Sequence, residues 1–224
     1  MRSVSLRQGM MYEEAGPQEK RSGEIPVITT LYLIRHGETE GGEVRRYKGS
    51  IDVPLSANGI DQMRRVSQRI AADTILKALY SSDLVRAKKS AEIIGEPHGL
   101  RAEVIPGLRE RSFGIWEGMS FDEIREKHPL EFEAWAGNPL EFSPMGGETT
   151  LEVSARCMEA LNSLLNDHRG EPIAVVSHGG IIRIILCHML GMPLGNIFRI
   201  DQDYGALNVI EISDHYPVVR MMNG

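Results

Sequence analysis

The sequence predicts an α/β fold: a three-layer α/β/α sandwich with a mostly parallel central sheet and a helical insertion over the end of the sheet that carries the candidate active site. Three observations predict it. From Pro26 onward, short apolar runs alternate with amphipathic stretches at helical spacing, the pattern of βαβ units. Apolar residues make up 42% of the 224, enough for one sizeable core. Two of the apolar runs end alike, in Arg35-His36-Gly37 and in Ser177-His178-Gly179-Gly180.

The elements follow in order. Val27 to Ile34 is the first strand, and Ser56 to Ala72 a helix with Ile60, Met63, Val66 and Ile70 on one face. Ala78 to Ser81 is a short strand leading to a helix from near Asp83, where Leu84, Ala87, Ala91 and Ile94 recur. Glu103 to Ile105 reads as another strand. Residues 112–147 break the alternation. They hold four of the five phenylalanines (Phe113, Phe121, Phe132, Phe142) and both tryptophans (Trp116, Trp135), and read as a lid-like helical insertion. Thr149 and Glu152 form a capping-box pair ahead of a helix carrying Val153, Cys157, Leu161 and Leu164. Pro172 to Val176 is a strand, Gly179 to Leu190 a helix, and Ala206 to Ile212 with Pro217 to Met221 a hairpin.

Residues 1–25 lack the apolar core of a signal peptide and read as a mobile leader, with Met10 and Met11 as alternative starts. Residues 26–224 then form a single domain. The formal charge of -6 argues against nucleic-acid and anionic-membrane partners, which call for basic stripes. No apolar run reaches the roughly 18 residues of a membrane span, and a cytoplasmic location is expected. Cys157 and Cys187 have no metal-type spacing and are expected to be buried, inert thiols. The chain is expected to act as a monomer or homodimer.

In a doubly wound sheet, ligands bind at the carboxyl ends of strands, where helix N-termini add partial positive charge. His36 and His178 occupy two such ends and are candidates for one site. His98, His128, His168, His188 and His215 have no such placement and are read as structural. Arg86, in Ser82-Asp83-Leu84-Val85-Arg86-Ala87, falls in the first turn of its helix and leans back toward the same edge. In Leu108-Arg109-Glu110-Arg111, a carboxylate sits among arginines just after a strand. Arginines beside a histidine suit a phosphoryl group, because phosphoryl transfer needs mainly positioning and charge stabilisation.

With these four motifs in this order, the chain resembles the histidine phosphatase superfamily, which also holds the cofactor-dependent phosphoglycerate mutases; the resemblance spans about Pro26 to Met222. It implies that His36 is the nucleophile, that Arg35, Arg86 and His178 hold the phosphate oxygens, and that Glu110 is the proton donor. Lys48 and Gly49 fall in the loop that passes the phosphate, and Gly37, Thr39 and Gly179 complete the substrate contacts. Many relatives carry an asparagine six residues after the nucleophile, where this chain has Gly42, and Arg46 or Lys48 is expected to substitute. The cations should push the His36 pKa below about 6.5, leaving a nitrogen free at neutral pH. Glu110 should stay protonated long enough to donate. No metal or other cofactor is called for.

The substrate is expected to be a small phosphate ester. Residues 112–147 carry seven acids against Arg125 and Lys127, a formal -5. That disfavours a second phosphate or carboxylate on the substrate, and with it a mutase. Met119 and Met145 join the aromatics as residues that an uncharged, partly apolar body would meet. Among family branches the α-ribazole phosphatase-like proteins are the most similar, on the Tyr47-to-Ser56 loop and the Gly146-Gly147-Glu148-Thr149 turn. A broad-specificity phosphomonoesterase, a phosphoglycerate mutase and a catalytically silent binding protein are the alternatives.

Overall fold

The structure, a computed structural model, describes residues 27–42 and 46–224; the leader expected at residues 1–25 lies outside the described residues. Six strands form one sheet: β1 Thr29–Arg35, β2 Ala78–Ser81, β3 Glu103–Val104, β4 Pro172–Ser177, β5 Leu207–Ile212 and β6 Pro217–Met221. Their spatial order is β3-β2-β4-β1-β5-β6. The strands β3, β2, β4 and β1 run parallel, and β5 and β6 are antiparallel additions at one edge. The expected hairpin is this β5–β6 pair, with a bulge at Val209/Ile210.

Alternation along β1 explains the layering, because successive strand residues face opposite sides of a sheet. Leu31 and Leu33 face a core shared with Ile173, Val175 and two helices, α5 (Thr150–Asp167) and α6 (Gly179–Met189). Tyr32 and Ile34 face the other way, onto α1 (Ala57–Asp73) and α2 (Val85–Gly95) through Met63, Ile70, Ala87 and Ile94. The sheet is thus covered on both sides.

Boundaries shift slightly from the sequence reading. Val27 and Ile28 are exposed and precede β1. Ser56 is the N-cap of α1, its hydroxyl accepting from Gly59 N. The helix expected from Asp83 begins at Val85, whose N–H donates to Asp52 Oδ1 at 2.7 Å, a cap supplied by a distant loop. The Thr149–Glu152 capping box is formed, and a second one, Ser120–Glu123, starts α3 (Phe121–Lys127). Between β3 and α5 the chain runs through a 3-10 turn at Gly114–Trp116, α3 and α4 (Pro129–Gly137).

Two close backbone approaches fix the start of α1. A Cβ on Gly37 would lie 2.3 Å from Gly59 O, and one on Gly59 would lie 2.0 Å from Glu38 O. Only glycine permits this approach. No helix among the described residues is long and apolar enough to cross a membrane. Both cysteines are free and buried; burial pushes the Cys157 thiol up to about 12 and raises that of Cys187.

Candidate active site

The pairing of β1 with β4 sets Arg35 beside Ser177, so the next residue of each strand, His36 and His178, reaches the same sheet end. Their ring centroids are 5.1 Å apart, edge to face. His36 is buried, and its Nδ1 lies 2.7 Å from Gly37 O. A carbonyl only accepts, so Nδ1 carries the proton and Nε2 keeps its lone pair. Burial pushes the His36 pKa well below the ordinary histidine value, with Arg86, then Arg35, adding to the effect. This is the direction expected from the sequence, with burial as the leading cause. His178 is fully buried and held low for the same reasons: burial first, then Arg86.

Arg35 continues β1 into the site. Its Nη1 donates to Gln202 O at 2.5 Å, and its Cζ stands 4.0 Å from the centre of the Tyr204 ring. The Arg35 Nε and the His178 Nδ1 are both buried, with no hydrogen-bond partner among the described residues. Arg86 is 2% exposed, with Nη1 donating to Ile51 O and Nη2 to Gly49 O, each at 2.7 Å. Its charge therefore acts on His36 while its hydrogen bonds hold the 49–51 loop. Gly49, at φ +47, has the left-handed conformation that glycine favours.

Glu110 comes from beyond β3. Its Oε2 accepts from Gly180 N at 3.1 Å, in the first turn of α6, and its Oε1 from Arg111 N at 2.9 Å. A Cβ at Gly180 would sit 2.5 Å from Glu110 Oε1, so that glycine makes room for the carboxyl group. Arg156 props the same loop from behind, donating to Gly107 O, Arg109 O and Glu110 O while gripping the Glu148 carboxylate.

His36, His178, Arg35, Arg86 and Glu110 thus converge, with Gly37 and Gly179 lining the same strand ends. The Gly37 N–H donates to Ser90 Oγ, and a Cβ on Gly179 would lie 3.4 Å from Arg35 Nε. Thr39 is buried and accepts from Lys48 Nζ, which also donates to Glu40 O; the Lys48 charge acts on His36. Arg46 is directed elsewhere, pairing with Glu123 and donating to Gly118 O. Of the two cations expected to replace the family asparagine, Lys48 is the one whose charge reaches His36. At Gly42 a Cβ would meet Thr39 O at 2.7 Å, so the loop is shaped around its absence.

Ser82, Gln202 and Tyr204 were not singled out by sequence reasoning. Ser82 Oγ lies 2.7 Å from His178 Nε2, and the Tyr204 ring is 5.7 Å from that of His36. Ser82 stood inside a recognised motif; Tyr204 carried no local signal. Among the histidines read as structural, His98 accepts from Leu76 N, His168 bridges Tyr80 and Glu171, and His188 pairs with Ser154.

A family model described as "Histidine phosphatase superfamily (branch 1)" matches residues 31–224. The chain belongs to that superfamily. Phosphoserine phosphatase 1 of Hydrogenobacter thermophilus is 31% identical to this histidine phosphatase over 196 residues, covering 88% of this chain and 92% of the relative. Phosphoglycerate mutase-like protein 4 of Arabidopsis thaliana is 36% identical over 156 residues, 68% of this chain and 67% of the relative. The crystal structure of the α-ribazole phosphatase from Shigella flexneri superposes with a TM-score of 0.79 at 28% identity, covering 87% of this chain and 96% of that one. Membership makes the chain an enzyme of a phosphatase family acting on small phosphate esters.

The aromatic residues of 112–147 in this histidine phosphatase pack largely on one another. Trp116 is buried and stacks on Phe142, and Trp135 meets Trp116, Phe121, Phe132 and, from outside the segment, Phe198. Phe113 instead meets Tyr47 edge-on and lies under Arg111. Several of the acids are also engaged internally: Glu117 Oε1 accepts from Ser50 N and Phe113 N, Glu123 pairs with Arg46, and Asp122 with Arg125.

Proposed function

We propose that this enzyme is a phosphomonoesterase that hydrolyses a small phosphate ester through a phosphohistidine at His36 Nε2. The observation that carries the reading is the pair of buried, unpartnered nitrogens, His178 Nδ1 on the ring packed edge-on to His36, and Arg35 Nε on a guanidinium whose charge acts on His36. Buried polar groups are normally hydrogen-bonded, and two orphan nitrogens on residues whose charges or rings act on His36 suit an anion with oxygens to spare.

In the first step the Nε2 lone pair attacks phosphorus and the ester oxygen leaves, taking a proton from Glu110. Arg35 and Arg86 balance the charge on the equatorial oxygens, and the neutral His178 ring contributes a hydrogen bond to them. In the second step Glu110 takes a proton from water, whose oxygen attacks the phosphohistidine and releases inorganic phosphate and Nε2. The positive charge is supplied by side chains, and among the described residues no group of three or more His, Cys, Asp or Glu side chains is arranged to hold a metal ion. The reaction is read as metal-independent, and full activity in excess chelator is the expected result.

The substrate is read as a monophosphate with an uncharged body, of the α-ribazole phosphate kind. Supporting this are the acidic balance of residues 112–147, the Tyr47–Phe113 ring pair, and the likeness to the Shigella flexneri enzyme along 96% of its length. The Hydrogenobacter thermophilus relative favours a second reading, in which phosphoserine is the substrate. Phosphate release from α-ribazole phosphate, phosphoserine, a sugar phosphate and an aryl phosphate separates the two, and comparable rates on all four would mark a broad-specificity enzyme. Isomerisation of phosphoglycerate without phosphate release would mark a mutase. The hydrolytic step is tested by mass spectrometry of acid-quenched enzyme. One added phosphate on the His36 peptide, absent in His36→Ala, is expected; a turning-over enzyme that never carries it would overturn the mechanism.

A further inference from the structure

Ser82 is fully buried one residue past β2, where it bridges two parts of the site. Its Oγ accepts from Leu84 N at 3.4 Å and lies 2.7 Å from His178 Nε2. A serine hydroxyl has one proton and two lone pairs. With one lone pair facing the Leu84 amide, the proton points to the His178 ring, the acceptor within reach among the described residues. Burial, Arg86 and the neighbouring His36 keep that ring neutral, so it holds a single N–H. If Nε2 accepts from Ser82, the N–H is on Nδ1. That atom is the buried nitrogen with no partner, on the ring 5.1 Å from His36.

We infer that Ser82 is a positioning residue: it selects the His178 tautomer that carries its proton on Nδ1, making that atom a donor to the phosphoryl group. The alternative tautomer would present a lone pair to anionic oxygens, a repulsive contact at the point where charge must be stabilised. The inference rests on the phosphohistidine reading for its catalytic meaning, but the tautomer itself is measurable without turnover.

The experiment combines 15N-edited NMR of the histidine rings with steady-state kinetics on an aryl phosphate. It compares the full-length enzyme with Ser82→Ala and Ser82→Cys, the second keeping most of the side-chain volume if the first fails to fold. In the wild type, His178 should be protonated at Nδ1, and inorganic phosphate should move that proton downfield. In the variants the ring should shift toward the Nε2–H form, and kcat/KM should fall by ~10–100-fold, the loss that follows when the partner fixing the tautomer of a metal-ligating histidine is removed. A wild-type His178 protonated at Nε2 would overturn the inference, as would a folded variant that keeps both tautomer and activity, or a Nδ1 proton indifferent to phosphate. An enzyme that shows the tautomer shift and the phosphate response yet hydrolyses no phosphomonoester would instead overturn the hydrolase reading alone.

Discussion

The Arg35 guanidinium lies 4.0 Å from the centre of the Tyr204 ring, while its Nη1 donates to Gln202 O. Residues from the turn before β5 therefore hold a cation that leaves the end of β1. One edge of the fork is occupied and one face is covered, and the buried Nε is left without a hydrogen-bond partner among the described residues. The cation is aimed by contacts that consume little of its donor capacity.

Replacing that aromatic face is the direct test. A cation–π contact at a partly buried site is worth about 0.5–2 kcal/mol. Tyr204→Leu should lower kcat/KM by roughly 2–30-fold, since each ~1.4 kcal/mol is tenfold. Tyr204→Phe, which keeps the ring, should stay near wild type. Equal losses in the two variants would transfer the role to the hydroxyl.

Much of this arrangement was legible in the sequence because its signals are local. The apolar run Val27 to Ile34 marked the strand that the structure has as β1, and the Thr149–Glu152 pair marked a helix start that the structure also has. The two histidines were visible because each follows an apolar strand and precedes a glycine. What escaped was long-range side-chain geometry. The Asp52 cap on α2 spans 33 residues, and the Arg35–Gln202 bond spans 167. No spacing rule connects such pairs, because the fold, not the local chain, brings them together. The aromatic content of 112–147 was equally visible but its use was not: Trp116 fills a core of its own, leaving Phe113 and Tyr47 as a separate pair.

Acid should weaken the fold. His36 and His178 are both held well below the ordinary histidine value, chiefly by burial. Between the folded and unfolded pKa values the unfolded chain binds more protons, so stability rises with pH and is lost as pH drops below about 6.5. The thermal midpoint should be lower at about pH 5.5 than at about pH 7.5. His178→Gln should narrow that gap; an unchanged gap would assign the dependence to other groups, His98 and His188 among them, which burial also lowers.

At Gly49 a Cβ would stand 2.4 Å from Glu117 Oε1 and 2.9 Å from Arg111 O, on a backbone already at φ +47. Gly49→Ala should cost about 1–3 kcal/mol from the left-handed conformation and the displaced neighbours. Because Gly49 O is an acceptor for Arg86, KM should rise as well. Adding Glu117→Ala should not restore the wild-type midpoint, since the Arg111 carbonyl remains and the Ser50 and Phe113 amides lose their acceptor. Urea midpoints and KM in the single and double variants test this.

Arg156 holds Glu148 and three carbonyls in the chain leading to Glu110. Arg156→Met keeps the apolar stem but strands those acceptors, a loss of about 1.5–3 kcal/mol for charged hydrogen bonds. The kinetic effect should depend on the leaving group. Alkyl phosphates, which need a proton on departure, should slow more than aryl phosphates. Equal slowing would separate Arg156 from the proton donor.

At the contact of Gly37 with Gly59, two main chains meet with no side chain between them. Such a joint has nothing compliant in it, so α1 and the peptide that receives the His36 Nδ1 proton are geared together as one rigid body. Hydrogen exchange at the Glu38 amide, which donates to Gln62 Oε1 of α1, should therefore track the opening of that helix, and a distortion anywhere along it would reach the imidazole before it loosened the sheet.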